Sequence, residues 1–176
     1  MKSHRKFELK EYDANWITEF NKKSQILRRI FGDELAEIHH IGSTSIPGMF
    51  AKPQIDILIL VKDFSKVKNL YEKMAKVGFT PRGTEYVGIG DEYFTEDAVD
   101  GTRLTSVHVF QKGEHKGKDI LDFRNYLRTH KKDRNLYISV KKDLYSKYSD
   151  NYAEYDGGKA NVIQEIKKRV AAWIKQ

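Results

Sequence analysis

A Gly-Ser turn stands a few residues before an acidic side chain that is embedded in an apolar run. The turn has the sequence Gly-Ser-Thr-Ser at residues 42–45, and the run spans residues 54–61 with Asp56 near its start. Glycine permits a positive φ, and hydroxyls together with backbone N–H groups can hold phosphate oxygens. A short run rich in Ile, Leu and Val predicts a buried strand. The segment therefore predicts a phosphate-binding turn beside a β-strand.

Asp56 is the charged residue of that run. Burying a carboxylate without a partner costs several kcal/mol, so we expect Asp56 to face a cleft, a metal ion or a cation. The alternative is a structural aspartate that pairs with Lys52 or accepts hydrogen bonds from the turn. Strand alternation places Asp56, Leu58 and Leu60 on one face of the predicted strand.

The Gly-Ser pair and the strand with its embedded acid resemble the signature of the nucleotidyltransferase superfamily. Longer phrases, which together cover nearly the whole chain, resemble the GrpB family within it. The matching phrases are Tyr12-Asp13-Ala14-Asn15-Trp16, residues 41–56, Val107-His108-Val109-Phe110, residues 123–130, Tyr137, Lys141, and Tyr155 with Lys159. The resemblance implies an α/β (α+β) fold, with a nucleotidyltransferase-like mixed sheet flanked by helices. It also implies one domain over residues 1–176, in which a sheet core at 1–112 precedes a helical C-terminal part at 113–176.

One position departs from the superfamily pattern. Active nucleotidyltransferases resemble one another in carrying Asp-x-Asp or Asp-x-Glu on this strand, with a third acid on a neighbouring strand, whereas the second position here is Leu58. Two Mg²⁺ ions about 3.5–4 Å apart need several bridging oxygens. Asp56 together with substrate phosphates is expected to hold a single Mg²⁺ or Mn²⁺, so any transfer reaction would be single-metal or atypical.

A second predicted strand supplies a candidate partner for Asp56. Residues 103–110 alternate in polarity, which places Ser106, His108 and Phe110 on one face. We predict that His108 serves as second metal ligand or as acid/base, and the alternative is a hydrogen-bonded half-core histidine. His39 and His40 point to opposite faces if extended, so at most one of them can look into the site. Their spacing is not that of a structural zinc site, and the chain has no cysteine to complete one.

Cations in the C-terminal part are candidates for binding phosphate. Arg124 and Arg128 are four residues apart, so on a helix they share a face and are predicted to clamp one polyphosphate, joined by Lys141 and Lys159. The alternative is that these cations are solvated or pair with nearby aspartates. Tyr155 is a candidate for stacking on a base.

Composition favours an anionic ligand. The 176 residues include 32 Lys plus Arg against 25 Asp plus Glu, which gives a formal net charge of +7. That charge attracts nucleotides, coenzyme A or RNA. The absence of cysteine excludes disulfides and thiol chemistry. The N-terminus is too polar for a signal peptide, and no run approaches the roughly 20 apolar residues of a membrane span, so we expect a cytoplasmic protein.

The remaining pattern predicts alternating helices and strands. A helix capped by Asp13 is expected to run to about Phe31, and a second one to run from about residue 63 to Val77. Residues 83–101 are rich in Gly and acids, and they predict strands or a mobile loop around Tyr86-Val87 and Tyr93-Phe94. From Gly117 onward the pattern is helical, with breaks near His130, Ser149 and Gly157.

These observations converge on a divergent nucleotidyltransferase-like protein that binds a nucleotide or related phosphate compound between the sheet and the C-terminal helices. If it is an enzyme, the reaction is a metal-dependent nucleotidyl or phosphoryl transfer. The predicted catalytic and metal-binding residues are Asp56 and His108, and the predicted phosphate-binding residues are Gly42, Ser43, Thr44, Lys52, Arg124, Arg128 and Lys159. One alternative is a non-catalytic sensor of a nucleotide or of coenzyme A, favoured by Leu58. The other is an RNA-binding module, favoured by the charge but lacking a compact basic-aromatic motif.

Overall fold

The computed structural model describes residues 7–83 and 92–175. Within them, five strands form one mixed sheet, and six α-helices flank it. The strands are β1 (Leu35–Ile41), β2 (Ile55–Val61), β3 (Thr80–Gly83), β4 (Glu92–Asp97) and β5 (Arg103–Gln111). The helices are α1 (Asn15–Phe31), α2 (Tyr71–Lys76), α3 (His115–Thr129), α4 (Lys131–Tyr148), α5 (Tyr152–Gly158) and α6 (Ala160–Trp173).

The sheet has the order β1-β2-β5-β4-β3, with β2 and β5 parallel and the other neighbouring pairs antiparallel. The register of the parallel pair aligns Asp56 with Ser106 and Leu58 with His108. The two predicted site strands are therefore direct neighbours, and their side chains form rows across the sheet.

The two faces of the sheet bury different sets of residues. One face packs Ile57, Ile59 and Val109 against α1 and α2 in the main core. On the other face Leu58, Leu60 and Phe110 meet α3. Alternate side chains of β2 point to opposite faces, which confirms the predicted grouping of Leu58 with Leu60.

The C-terminal helices have an apolar cluster of their own. Tyr126, Leu127 and Ile166 are buried there, and the segment that follows the Gly-Ser turn contributes Ile46 and Met49. The turn is thus held between β1 and the helical part of the chain. Among the described residues no helix combines the length and the apolar character needed to cross a bilayer.

The first predicted helix agrees with α1, and Oδ1 of Asp13 accepts a hydrogen bond of 2.9 Å from the N–H of Asn15. The second predicted helix begins after Asp63, as expected, but Phe64–Leu70 forms a 3₁₀ helix and only α2 is α-helical. Val67 and Leu70 are both buried, and a 3₁₀ helix places residues three apart in line. Tyr93 and Phe94 lie in β4, whereas Tyr86-Val87 lie outside the described residues.

Candidate functional site

A cleft of about 510 Å³ lies between the Leu58 face of the sheet and the C-terminal helices. The Gly-Ser turn and the strands β2, β4 and β5 form one wall, and side chains of α3 to α6 form the other. Of the predicted site residues, those that line this cleft are Gly42, Ser43, Thr44, Lys52, Asp56, His108, Arg124 and Lys159.

The Gly-Ser turn is held tightly against Asp56. Gly42 has a φ of +69°, a conformation that L side chains rarely adopt, and a Cβ atom there would lie 3.0 Å from Cβ and Cγ of Asp56. Residues Ser43–Ser45 then form one 3₁₀ turn, whose first hydrogen bond runs 3.2 Å from the Ser45 N–H to the Gly42 carbonyl. The Ser45 hydroxyl donates to the same carbonyl at 2.6 Å. Glycine is therefore required at position 42 by backbone conformation and by space.

Asp56 is half-buried at the floor of the cleft and belongs to a hydrogen-bonded row. The Gln54 amide donates to Oδ1 of Asp56 at 2.6 Å and to the Ser106 hydroxyl at 3.1 Å. Ser106 also shares a hydrogen bond of 2.8 Å with the Tyr93 hydroxyl, to which Arg103 donates at 2.8 Å. This row fixes the direction of the Asp56 carboxylate.

Lys141 crosses from α4 to the turn. It is only 3% exposed, and its Nζ lies 3.0 Å from the Ser43 hydroxyl and also donates to the Phe50 carbonyl. Burial, together with the like charges of Lys159 and Lys52, lowers the pKa of Lys141 to about 7, although the negative charge of Asp56 opposes this shift. Both protonation states of this amine are therefore populated near neutral pH.

The charged side chains that line the cleft are mostly basic. Lys52 donates to the Tyr152 hydroxyl at 2.7 Å, and Lys159 forms an ion pair of 2.6 Å with Asp156, so both are oriented by α5. Among the described residues that line the cleft, six are basic and three are acidic. The basic ones are Lys52, Lys116, Arg124, Lys141, Lys159 and Lys167, and the acidic ones are Asp56, Asp119 and Asp156. Such a surface attracts anions.

The two arginines of α3 hold the backbone of the turn. Nη1 of Arg124 donates to the His40 carbonyl at 2.8 Å. Nε and Nη2 of Arg128 both donate to the Ser45 carbonyl, at 3.0 and 2.7 Å. Arg124 borders the cleft, but Arg128 is not among its described lining residues. Both arginines also line a second pocket, together with His39, His40 and Phe20, so their joint binding of one polyphosphate stays a prediction.

The Thr44 hydroxyl is also engaged within the protein. It donates to the Gln54 carbonyl at 3.0 Å and lies 3.0 Å from Nε2 of His40, which makes Nε2 the protonated nitrogen of that ring. His40 stacks on Phe20, and burial and the charges of Arg128 and Arg124 lower its pKa to about 4. Neither His40 nor His39 lines the cleft in the described part of the chain. Thr44 and His40 thus shape the turn.

His108 lies one row beyond Asp56, beside Leu58. Its ring stacks on Tyr93 with centroids 4.9 Å apart, and Nδ1 is buried without a hydrogen-bond partner among the described residues. Burial lowers the pKa of His108 to about 4, so the ring is neutral at pH 7.

The donor set does not fit a pair of metal ions. Among the described residues there is no group of three His, Asp or Glu side chains that could hold an ion. Leu58, at the position of the second acid, is fully buried with Leu60 and Phe110. A single divalent ion at Asp56 would need oxygens from its ligand to complete the coordination shell.

Sequence reasoning missed the polar row of Gln54, Ser106 and Tyr93. Strand alternation places Ser106 on the same face of β5 as His108. It does not give the register between β2 and β5, and this register is what brings Ser106 beside Asp56. Nothing in the sequence predicts the hydrogen bonds of Gln54, apart from its position two residues before Asp56.

The mixed five-stranded sheet, the flanking helices and the cleft at the Gly-Ser turn define a nucleotidyltransferase-like fold. A family model described as GrpB protein matches residues 6–169, and the chain belongs to the GrpB family. The Bacillus subtilis protein YqkA is 36% identical over 171 residues, which cover 97% of this chain and 49% of YqkA. The glutamate-rich protein GrpB of Alkalihalophilus pseudofirmus is 32% identical over 161 residues, which cover 88% of this chain and 90% of that protein.

Solved structures give the same picture of the fold. The crystal structure of the conserved protein GrpB from Enterococcus faecalis is similar with a TM-score of 0.82 and 28% identity, covering 92% of this chain and 98% of that one. The Cid1 poly(U) polymerase is similar with a TM-score of 0.51 and 13% identity, covering 78% of this chain and 44% of Cid1. The chain therefore spans about half the length of YqkA and less than half of Cid1.

Proposed function

We propose that the cleft binds a nucleotide or a related phosphate compound. The observation that carries the proposal is the cleft itself, in which a Gly-Ser turn and a predominantly basic wall face each other across about 510 Å³. Ligand sites are concave and combine an apolar lining with a few convergent polar groups. Phe110, Ile120 and Phe123 supply the apolar part here, beside the lysines.

The phosphates of the ligand would lie at the turn. The Ser43 hydroxyl, Lys52 and Lys159 are the groups that we assign to phosphate, and Gly42 keeps the approach to Asp56 free of a side chain. Tyr152 and Asp156 orient the two lysines. Arg124 adds positive charge at the edge of the cleft, while its contact with the His40 carbonyl stabilises the turn.

A divalent ion would join the ligand at Asp56. In the proposed complex one Mg²⁺ or Mn²⁺ is held by the Asp56 carboxylate and by phosphate oxygens, where it would neutralise charge on the phosphates. Nucleotidyl or phosphoryl transfer is the corresponding reaction class. His108 lines the same cleft and burial keeps its ring neutral, so we propose it as the second ligand of the divalent ion.

A second candidate function is a non-catalytic sensor of a nucleotide or of coenzyme A. It is favoured by Leu58, whose burial against Ile41, Leu60 and Phe110 leaves an apolar contact where a second metal-binding carboxylate would project. A sensor and an enzyme would share the binding site and differ in turnover.

Thermal-shift measurements test the binding proposal. Wild type, Asp56→Asn and Lys159→Met are compared against nucleoside mono-, di- and triphosphates, coenzyme A and its phosphorylated precursors, with and without Mg²⁺ or Mn²⁺. Lys76→Met is the matched control, since Lys76 is an exposed lysine of α2, on the opposite face of the sheet. A ligand at a hundred times its Kd stabilises by about 2.7 kcal/mol, which such measurements detect.

We expect a stabilising shift for at least one phosphate compound in wild type and in Lys76→Met. The shift should fall in Lys159→Met, and its metal-dependent part should be lost in Asp56→Asn. Equal shifts in Lys159→Met and Lys76→Met, or the absence of a shift for every compound, would contradict binding in this cleft. Release of product from the bound nucleotide then separates the enzyme from the sensor.

A further inference from the structure

Ser43 differs from the other hydroxyl residues near the floor of the cleft. The hydroxyls of Ser45 and Thr44 donate to backbone carbonyls, and that of Ser106 bonds to Tyr93 and Gln54. The Ser43 hydroxyl instead lies 3.0 Å from an amine, Nζ of Lys141, and Ser43 is half-buried in the lining of the cleft. Its oxygen is therefore within reach of a bound ligand.

Lys141 has the features of a general base. Its side chain is 3% exposed, its Nζ is oriented by the Phe50 carbonyl, and the Tyr137 ring lies 5.3 Å from Nζ. The charged groups that act on it are Lys52 and Lys159, which oppose its protonation, and Asp56, which favours it. A neutral amine in this position can donate to Phe50 and accept the proton of Ser43. A nucleophile bonded to a base that a third group orients is the arrangement of covalent catalysis.

We propose that Ser43 and Lys141 form a serine–lysine dyad in which Ser43 attacks the phosphorus of a phosphate ester or anhydride. A bond forms between Oγ of Ser43 and phosphorus, and the bond from phosphorus to the leaving oxygen breaks. The hydroxyl proton passes to Nζ of Lys141, and the leaving group departs with the bonding electron pair. The product is a phosphorylated or nucleotidylated serine. The oxygen of water or of an acceptor hydroxyl then bonds to phosphorus and loses its proton, the bond from phosphorus to Oγ breaks, and Lys141 returns its proton to Ser43.

Two further features suit this reaction. Lys52 and Lys159 line the same cleft, so their ammonium groups can stabilise charge on the phosphoryl oxygens. The covalent route also needs no second metal-binding acid at Leu58, because the nucleophile is activated by an amine. The substrate class rests on the proposed function, whereas the dyad can be tested without it.

The test uses a fluorophosphonate probe, which transfers its phosphonyl group to an activated serine and releases fluoride. We expect intact-mass spectrometry to show one adduct on the full chain, and peptide mapping to place it on Ser43. Ser43→Ala and Lys141→Met should each reduce the labelling rate at least tenfold. Ser139→Ala, which changes an exposed serine of the same helix as Lys141, should label like wild type.

A second variant covers the case in which Lys141→Met fails to fold. The chain has no cysteine, so Ser43→Cys introduces one thiol. A thiol beside Lys141 should form a thiolate easily and react with iodoacetamide at least tenfold faster than the thiol of Ser139→Cys.

The outcomes separate the dyad from the binding proposal. Labelling at Ser43 that requires Lys141 supports the dyad even if no nucleotide shifts the melting temperature. A wild type that remains unlabelled, labelling that persists in folded Lys141→Met, or a slow thiol in Ser43→Cys would overturn the dyad. A nucleotide-dependent thermal shift would then still support binding, with Lys141 acting as a tether of the turn.

Discussion

The backbone of Gly42 lies directly against the side chain of Asp56, so that no side chain fits at position 42. The contact joins the turn after β1 to the start of β2, at the point where Ile41 and Asp56 pair across the antiparallel strands. The same glycine needs a positive φ. Turn and carboxylate are therefore one structural unit, and a change at either residue should disturb both.

Gly42→Ala should destabilise the protein more than Gly78→Ala does. Both glycines have a positive φ, +69° and +91°, but a Cβ at Gly78 meets no atom within 4 Å. The control should lose about 1–2 kcal/mol from the backbone conformation alone. Gly42→Ala should lose roughly 1–3 kcal/mol more, because Asp56 must move and because a φ of +69° with a ψ of −177° is a conformation that is essentially restricted to glycine. Urea unfolding measures both, and equal losses would show that the contact with Asp56 is loose.

Leu58→Asp should destabilise the protein by at least roughly 2–5 kcal/mol, the range for deleting a buried leucine side chain. Leu58 is fully buried among Ile41, Leu60 and Phe110, an apolar environment that disfavours a carboxylate even though the neutral His108 ring is its cross-strand neighbour. Leu58→Met, which keeps the volume, should cost less than about 1.5 kcal/mol. Chemical denaturation compares the two variants. A Leu58→Asp variant as stable as wild type that gained nucleotide transfer would instead identify a decayed two-acid site.

Arg128→Ala should weaken the turn without removing a ligand contact. Its guanidinium makes two hydrogen bonds to the Ser45 carbonyl, so we expect a loss of about 1–2 kcal/mol in the free energy of unfolding. Arg29→Ala, at an exposed position of α1, should change it by less than about 0.5 kcal/mol. Ligand affinity should fall less in Arg128→Ala than in Lys159→Met. The reverse order in a binding titration would return Arg128 to the phosphate site.

Stability should fall as the pH drops from about 6.5 to about 4. Burial lowers the pKa of His40 and of His108 to about 4, whereas both titrate near 6.5 in the unfolded chain. Between these values the unfolded chain binds more protons, so acidification favours unfolding. A shift of this size corresponds to roughly 3 kcal/mol per histidine.

Urea midpoints measured at intervals from pH 7 to pH 4 test this dependence. His108→Phe should reduce the slope of the urea midpoint against pH, because one of the two buried histidines is removed. His39→Phe serves as the control, because the His39 ring is more exposed and bonds to Glu37. A slope unchanged in His108→Phe would mean that the His108 ring is accessible to protons in the folded state.

The fold was accessible from the sequence because its signals are local. Alternation grouped Asp56, Leu58 and Leu60 on one face of β2 and, separately, Ser106, His108 and Phe110 on one face of β5, and Asp13 and Gly32 marked the ends of α1. The 3₁₀ segment before α2 was missed, because the spacing of Val67 and Leu70 is compatible with both kinds of helix.

The site was less accessible because its decisive contacts join distant parts of the chain. Lys141 meets Ser43 across 98 positions, and lysine is almost never fully buried, so no pattern marked its role beyond the family phrase. The spacing of Arg124 and Arg128 correctly placed them on one helix. This spacing does not indicate that the two arginines bond to the carbonyls of His40 and Ser45.

Mapping a bound nucleotide onto the chain by backbone amide chemical shifts is the most direct test of the central claim. The ¹⁵N-labelled protein is titrated with the nucleotide that gives the largest thermal shift, or with ATP if none does, in the presence of Mg²⁺. We predict saturable shifts at the turn, at the start of β2, around Ser106 and near Lys159. The absence of shifts, or shifts confined to α1 and α2 on the opposite face of the sheet, would contradict a nucleotide site in this cleft.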